Sequence, residues 1–307
     1  MKLAIVIPYF KFSFFEETVA SLANQTNKNF KLYIGNDASP ECPEALLEKY
    51  KGKFDFTYKK FESNLGTTSL VQQWDRCIEM IEDEEWIMIL GDDDVLHNNV
   101  VEEFYSTINE VIFFKINVIR FASIKINSKS EVFTDPYLHP KLENSTDFFF
   151  RNTRSSLSEY IFRKECVDSI GFKDFPLAWY SDVLGVLEFS VFEQVYSINT
   201  AMVNVRISEH SISGKKDNLL AKSKSKSLFY GYLTGLKLHF FNKEQKIKLL
   251  QQFGNSYLND KKNVQLFLEV SKSFISNMFF KDYLKFLFKL FYVFYNIYYV
   301  KLKSILD

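Results

Sequence analysis

Over the first 121 residues, short apolar runs alternate with stretches of helical spacing, and this alternation narrows the kind of sheet the chain can build. Runs at 3–7, 30–34, 54–58, 86–90 and 118–121 read as strands, and 14–23, 43–50, 69–81 and 99–108 as helices. Strands separated by helices give βαβ units, hence a parallel sheet with helices on both faces. In such sheets ligands bind in the crevice beyond the carboxyl ends of the strands. Those ends carry Pro8-Tyr9, Asn36-Asp37 and Gly91-Asp92-Asp93-Asp94. No GxGxxG follows the first strand and no GxxxxGK[ST] occurs anywhere, so neither a dinucleotide fold nor a P-loop enzyme fits. The sheet ends in acids instead.

The chain has 307 residues, 47% apolar and 25% charged, a balance that excludes disorder and allows one large or two modest domains. Cys42, Cys77 and Cys166 are far apart and form no CxxC, which argues against a disulfide framework or zinc cluster and for a reducing compartment. The opening MKLAIVIPYF is too short for a signal peptide, and no uncharged run is long enough to span a membrane. A cytoplasmic protein is expected. The net charge of +0 conceals an asymmetry: residues 215–307 hold 17 lysines, no arginine and six acids, a net of +11. All six prolines lie at or before Pro176. A boundary is therefore expected at 214–215, between an acidic body and a basic tail.

Asp92, Asp93 and Asp94 follow a buried strand. Three adjacent carboxylates repel one another unless a cation or protonation relieves them. Their oxygens suit Mn²⁺ or Mg²⁺, which bind one or two carboxylates together with substrate phosphates. The competing reading makes one of them the cap of the helix near Asn98, which accounts for one Asp but not three.

The ordered motifs IVIPYF, YIGNDASP, NLG, WIMILGDDDVL, SEYIFRKECVDSIGF, WYSDVL and RISEHSIS resemble family 2 glycosyltransferases of the GT-A fold over residues 1–214. The resemblance implies a Rossmann-like α/β architecture: a mixed, mainly parallel sheet with flanking helices, followed by a helical C-terminal region. It implies a nucleotide-sugar-binding half at 1–121 and an acceptor and catalytic half at 122–214. It further implies inverting transfer from a nucleotide-diphospho-sugar with a divalent metal. Residue by residue, Asp37 would meet the base, with Pro8 and Tyr9 lining its pocket. Asn64, Gly66 and Arg76 would lie toward the pyrophosphate. The DxD-type turn would supply a sugar or ribose contact and the metal ligands from Asp92, Asp93 and Asp94, with Asp93 and Asp94 not ranked. Asp182 would be the general base that deprotonates the acceptor hydroxyl. Arg206 and His210 would close over the phosphates, His210 as a metal ligand or phosphate donor, with Lys215 and Lys216 nearby. Ser158, Glu159, Trp179 and Tyr180 would face the acceptor.

Plainer roles compete for the same residues. Asp37 could serve the turn before the Pro43 helix, Arg76 could be a surface arginine, and Asp182 could be an N-cap. Gly91 and Ser181 stand where the family has acids, which keeps open a catalytically inactive donor-binding subunit. A nucleotidyltransferase would want a Gly-rich loop that IPYFKFSFFEE lacks.

In the tail, Lys281, Lys285, Lys289, Tyr292, Asn296, Tyr299 and Lys303 recur every three or four residues among Phe, Leu, Tyr, Val and Ile. That is an amphipathic helix with a basic stripe. It suits a membrane surface, a homodimer through 281–303, or its own core. The partners expected are a nucleotide-sugar donor and a glycan or lipid-linked glycan acceptor in surface polysaccharide biosynthesis, met at the inner face of the plasma membrane. No nucleic-acid partner is expected.

Overall fold

The computed structural model describes residues 2–151, 155–209, 211–212, 214 and 217–306, the side chains of 297–306 excepted. Two compact units form, Met1–Asn218 and Leu219–Asp307. The charge asymmetry puts the boundary at 214–215, whereas the units divide at 218–219, where the first helix of the second unit begins.

In the first unit the order is β1 (Leu3–Tyr9), α1 (Phe15–Ala23), β2 (Phe30–Asn36), α2 (Glu44–Glu48), β3 (Asp55–Lys60), α3 (Leu70–Ile78), β4 (Trp86–Ile89), β5 (Val95–Leu96) and α4 (Val100–Phe113). Then come β6 (Val118–Ile126), β7 (Leu142–Asn144), α5 (Ser145–Phe150), β8 (Tyr160–Arg163), α6 (Lys164–Ile170), α7 (Ser181–Phe189) and β9 (Gln194–Arg206). Among the described residues these strands form one nine-stranded sheet, ordered β3-β2-β1-β4-β8-β6-β9-β5, with β7 against β9. The β3-β2-β1-β4 portion is parallel. Strand β8 runs antiparallel between β4 and β6, and β6 and β9 are parallel again. The carboxyl ends of β1, β2, β4, β6 and β9 and the start of β8 therefore share one edge.

The sheet is covered on both faces, so its central strands are apolar throughout. Along β1, Leu3, Ile5 and Ile7 enter the core formed with α1, α2 and α4, while Ala4 and Val6 enter the core formed with α3, α6 and α7. Strand β1 does not stop at residue 7 but continues through Pro8 to Tyr9. Its pairing with β4 ends at Val6, so the N–H that Pro8 lacks falls past the last partner on that side. Helix α4 and strand β6 run further than their apolar spacing suggests, to Phe113 and Ile126. Strand β9 is not anticipated at all. Its 13 residues include Ser197, Asn199 and Thr200, which break the apolar pattern, and its register with β6 shifts between Phe121 and Ala122.

The second unit comprises α8 (Leu219–Tyr232), α9 (Lys243–Asn259), α10 (Val264–Ser276) and α11 (Phe280–Leu306). Helix α9 opens with a capping box between Asn242 and Gln245, and Asn263 caps α10 by accepting from the Leu266 N–H. Phe229, Leu249, Phe253, Val270 and Phe274 are buried within the unit. Helices α9 and α11 approach closely at Gly254, where an added Cβ would lie 2.8 Å from the Phe286 ring. Among the described residues no helix is long and apolar enough to cross a membrane.

Candidate active site

The acidic turn leaves β4 at the shared edge, and its three carboxylates are held differently. Asp92 accepts from the backbone N–H groups of Phe10 (2.9 Å) and Lys11 (2.8 Å), tying the turn to the end of β1. Asp94 is buried, and both of its oxygens are engaged: Ser158 Oγ donates to one at 2.5 Å and the Arg206 N–H to the other at 2.8 Å. Asp93 is partly accessible, and among the described residues its carboxylate accepts no hydrogen bond. Burial, followed by the charges of Asp94 and Asp92, pushes the Asp93 carboxyl up to about 8. Burial also raises Asp92, against the pull of the two N–H groups. None of the three caps α4, whose N-cap is Asn99. Gly91 has its own reason at this turn: an added Cβ would lie 3.1 Å from Asp94 and 3.2 Å from Asp93.

Beneath the turn lies Arg206, at the end of β9. Its guanidinium donates to the carbonyls of Asp93 (2.9 Å) and Asn127 (2.9 Å), to Ser130 Oγ (3.0 Å) and to Glu17 (2.8 Å). It also stacks 4.2 Å from the Phe14 ring centroid and is 2% exposed. Expected to close over the phosphates, Arg206 is a buried clamp with its donors spent inside the protein. Ser158 is likewise displaced from its expected acceptor role: it accepts from the Gly91 N–H (3.0 Å) while donating to Asp94. Glu159 has no accessible surface, so the acceptor role expected of it does not fit this geometry.

A second polar cluster forms at the end of β2. The Asp37 carboxylate accepts from the N–H groups of Leu65 (2.7 Å) and Gly66 (2.9 Å) and pairs with the Arg76 guanidinium. It thus anchors the loop before α3, and the cap ahead of α2 falls away as its role. Asn64 shapes the same loop by accepting from the Thr67 N–H (2.8 Å). Gly66 is sterically required, because a Cβ there would sit 2.6 Å from Asp37. Arg76 is neither a surface arginine nor directed at open crevice: it pairs with Asp37, donates to the Ser63 carbonyl (3.0 Å) and stacks on Phe61 at 4.0 Å. Pro8 is partly accessible at the rim. Tyr9 is fully buried, its ring 4.6 Å from Phe15 and its hydroxyl donating to the Glu41 carbonyl, so it belongs to the core and not to a pocket wall.

Asp182 lies in the first turn of α7, whose N-cap is Tyr180, so the capping role does not apply to it. Its charge reaches the buried Tyr160, which starts β8 two residues after Ser158. Ser181, at a family acid position, donates to the Lys173 carbonyl at 2.6 Å and so binds the preceding loop to the helix. That loop is strained: Leu177, Ala178 and Tyr180 have φ of 62°, 50° and 77°. Trp179 and Tyr180 are half-buried, with ring centroids 6.4 Å apart. His210, Lys215 and Lys216 lie outside the described residues.

The geometry thus joins Asp37, the 64–66 loop, Arg76, the acidic turn, Ser158 and Arg206 along one sheet edge. The bracing by Glu17, Asn127 and Ser130 had no local signal, since each is remote in the chain from the residue it meets. Among the described residues no group of three or more His, Cys, Asp or Glu is arranged to hold a metal. Two carboxylates with diphosphate oxygens are nevertheless a sufficient donor set for Mg²⁺ or Mn²⁺. Asp93 and the second oxygen of Asp92 fit that role, whereas the engaged Asp94 does not.

A mixed, mainly parallel sheet with an acidic turn at this edge is the GT-A architecture. The chain belongs to glycosyl transferase family 2, whose profile matches residues 4–160. Among solved structures, S. aureus TarS in complex with UDP-GlcNAc is similar, with a TM-score of 0.64 and 15% identity over 84% of this chain and 73% of that one. TarS with UDP gives 0.55 and 13% over 83% and 80%. GalNAc-T7 with UDP, GalNAc and Mn²⁺ gives 0.53 and 11% over 86% and 57%. No curated protein matches the chain.

Proposed function

We propose that this glycosyltransferase is a metal-dependent inverting enzyme that moves a sugar from a UDP-sugar to a glycan or lipid-linked glycan acceptor in surface polysaccharide biosynthesis. One observation supports the reading: at the strand edge the Asp93 carboxylate accepts no hydrogen bond among the described residues, while Asp92 and Asp94 are tied down on either side of it. UDP as the nucleotide is supported by the complexes that TarS and GalNAc-T7 form, and Mn²⁺ by the one in GalNAc-T7. Asp92 and Asp93 would hold the ion, which when bound offsets charge on the departing diphosphate. Asp37 holds the 64–66 loop against the donor. Asp182 takes the proton from the acceptor hydroxyl, whose oxygen attacks the anomeric carbon opposite the diphosphate. The bond from that carbon to the diphosphate oxygen breaks, and the configuration inverts.

Release of UDP from a panel of UDP-sugars, with Mn²⁺ or a chelator, tests this. Asp182→Asn should keep UDP affinity while transfer falls by about 10²–10⁴-fold. Asp93→Asn should lose the metal-dependent part of UDP binding. If neither change affects turnover, the assignment fails. If UDP-sugars bind but are never cleaved, the chain is an inactive donor-binding subunit.

A further inference from the structure

The second unit carries an exposed apolar surface remote in sequence from the family-matched residues 4–160. Along α11, Phe280, Leu284, Phe288, Phe291 and Tyr295 follow one another at intervals of four, four, three and four, so they share one face. All five are exposed, from 52% at Phe280 to 73% at Phe288. The opposite side does the internal packing: Phe286 is buried and stacks 5.8 Å from Phe274. Lys281, Lys285 and Lys289 each follow a stripe residue by one position, so a row of ammonium groups borders the apolar face. At the start of the same helix lies a cleft of about 690 Å³ lined by Lys243 and Lys246 from α9 and by Lys281 and Lys285 from α11. Its acid, Asp282, is already paired with Lys285 at 3.0 Å. Met278, 77% exposed, and Phe280 also line this cleft.

An exposed apolar stripe of this length marks an interaction site. Charge chooses between a second copy and a lipid surface. Residues 219–307 hold fifteen lysines and five acids, so a two-fold pairing of stripes would bring two strongly basic units together. An anionic lipid surface satisfies both halves of the pattern. Apolar side chains enter the boundary between headgroups and acyl chains, and bordering lysines reach phosphates. We infer that the α11 stripe docks the second unit on an anionic phospholipid surface, with the lysine-lined cleft receiving a lipid phosphate. The inference stands on the second unit alone and goes beyond the transfer chemistry.

The test is co-sedimentation of the full-length protein with vesicles of phosphatidylcholine alone or mixed with phosphatidylglycerol. The protein should sediment with the mixed vesicles only, and less as salt rises. Phe288→Ser combined with Phe291→Ser should abolish sedimentation. Changing Lys243, Lys246, Lys281 and Lys285 to Gln should lower partitioning on the order of fivefold per lysine. Phe288, Phe291, Lys243, Lys281 and Lys285 are exposed and Lys246 is half-buried, so melting temperatures are measured beside the parent's, and the salt and lipid arms need no variant. Equal binding to both vesicles, or none, overturns the inference. So does a dimer, seen by light scattering, that the serine pair turns into monomers. Competition by inorganic phosphate with no effect of the serine pair would make the cleft a free-phosphate site and also overturn it. UDP binding measured on the same sample keeps a failure of the transferase reading separate.

Discussion

Asp94 commits both carboxylate oxygens to Ser158 and Arg206, whereas the Asp93 carboxylate, one residue earlier, accepts no hydrogen bond among the described residues. Two predictions belong to these side chains. The first concerns pH. Burial and the charges of Asp94 and Asp92 push the Asp93 carboxyl up to about 8 in the folded protein, against 3.8 ordinarily. Between those values the folded state keeps a proton that the unfolded state has released. Stability of the metal-free protein should therefore decline as pH rises through this window. Asp93→Asn cannot ionise and should flatten that decline, measured by urea unfolding with chelator present. Matching slopes for variant and parent would contradict the desolvation and like-charge crowding assigned to Asp93. The second concerns Ser158. Ser158→Ala removes the acceptor of the Gly91 N–H and a donor to Asp94, which should cost about 1–3 kcal/mol of stability. It should also weaken UDP binding in the presence of Mn²⁺, and calorimetry can report both. A melting curve and UDP affinity like the parent's would remove Ser158 from the brace.

At the scale of elements, the loop before α3 and the entry to α7 carry the constraints. Gly66→Ala would drive a methyl to within 2.6 Å of Asp37, so either the 64–66 loop or the carboxylate that anchors it must shift. UDP affinity should fall while the sheet stays intact by circular dichroism; unaltered affinity would separate this loop from the donor. At α7, the three left-handed residues before Asp182 each store on the order of 1–3 kcal/mol, a cost that the surrounding fold holds in place. Some of this architecture was legible in the sequence because its causes are local. The apolar period of 69–81, opened by Ser69, gives α3, whose N-cap is Ser69 with its oxygen accepting from Gln72. The acids at the end of β4 likewise pointed to the crevice. Strand β9 and the true task of Arg206 were not legible, because polar residues interrupt the strand and the partners of Arg206 lie up to 189 residues away. Tyr9 misled for a related reason. An aromatic residue at a strand end looks the same in sequence whether it faces a ligand or, as here, Phe15.

The molecule as a whole divides into units with separate cores, and that division can be tested by cutting the chain. A fragment of residues 1–218 should unfold cooperatively in urea, since both layers over its sheet lie within it. A fragment of residues 1–160, close to the family-matched span, should not, because it lacks β9 and most of β8. Cooperative unfolding of the shorter piece would show that the sheet closes without them. The Arg206 clamp also has a consequence for the timing of synthesis. The acidic turn leaves the ribosome early, yet the backbone N–H that fixes Asp94 is made 112 residues later. At translation speeds of about 5–20 residues per second, that is a wait on the order of ten seconds. A chain released during that interval carries all three aspartates but not the brace that holds them in order. Prematurely ended products should then be inert toward nucleotide-sugars, and would not deplete the donor pool used by finished enzyme.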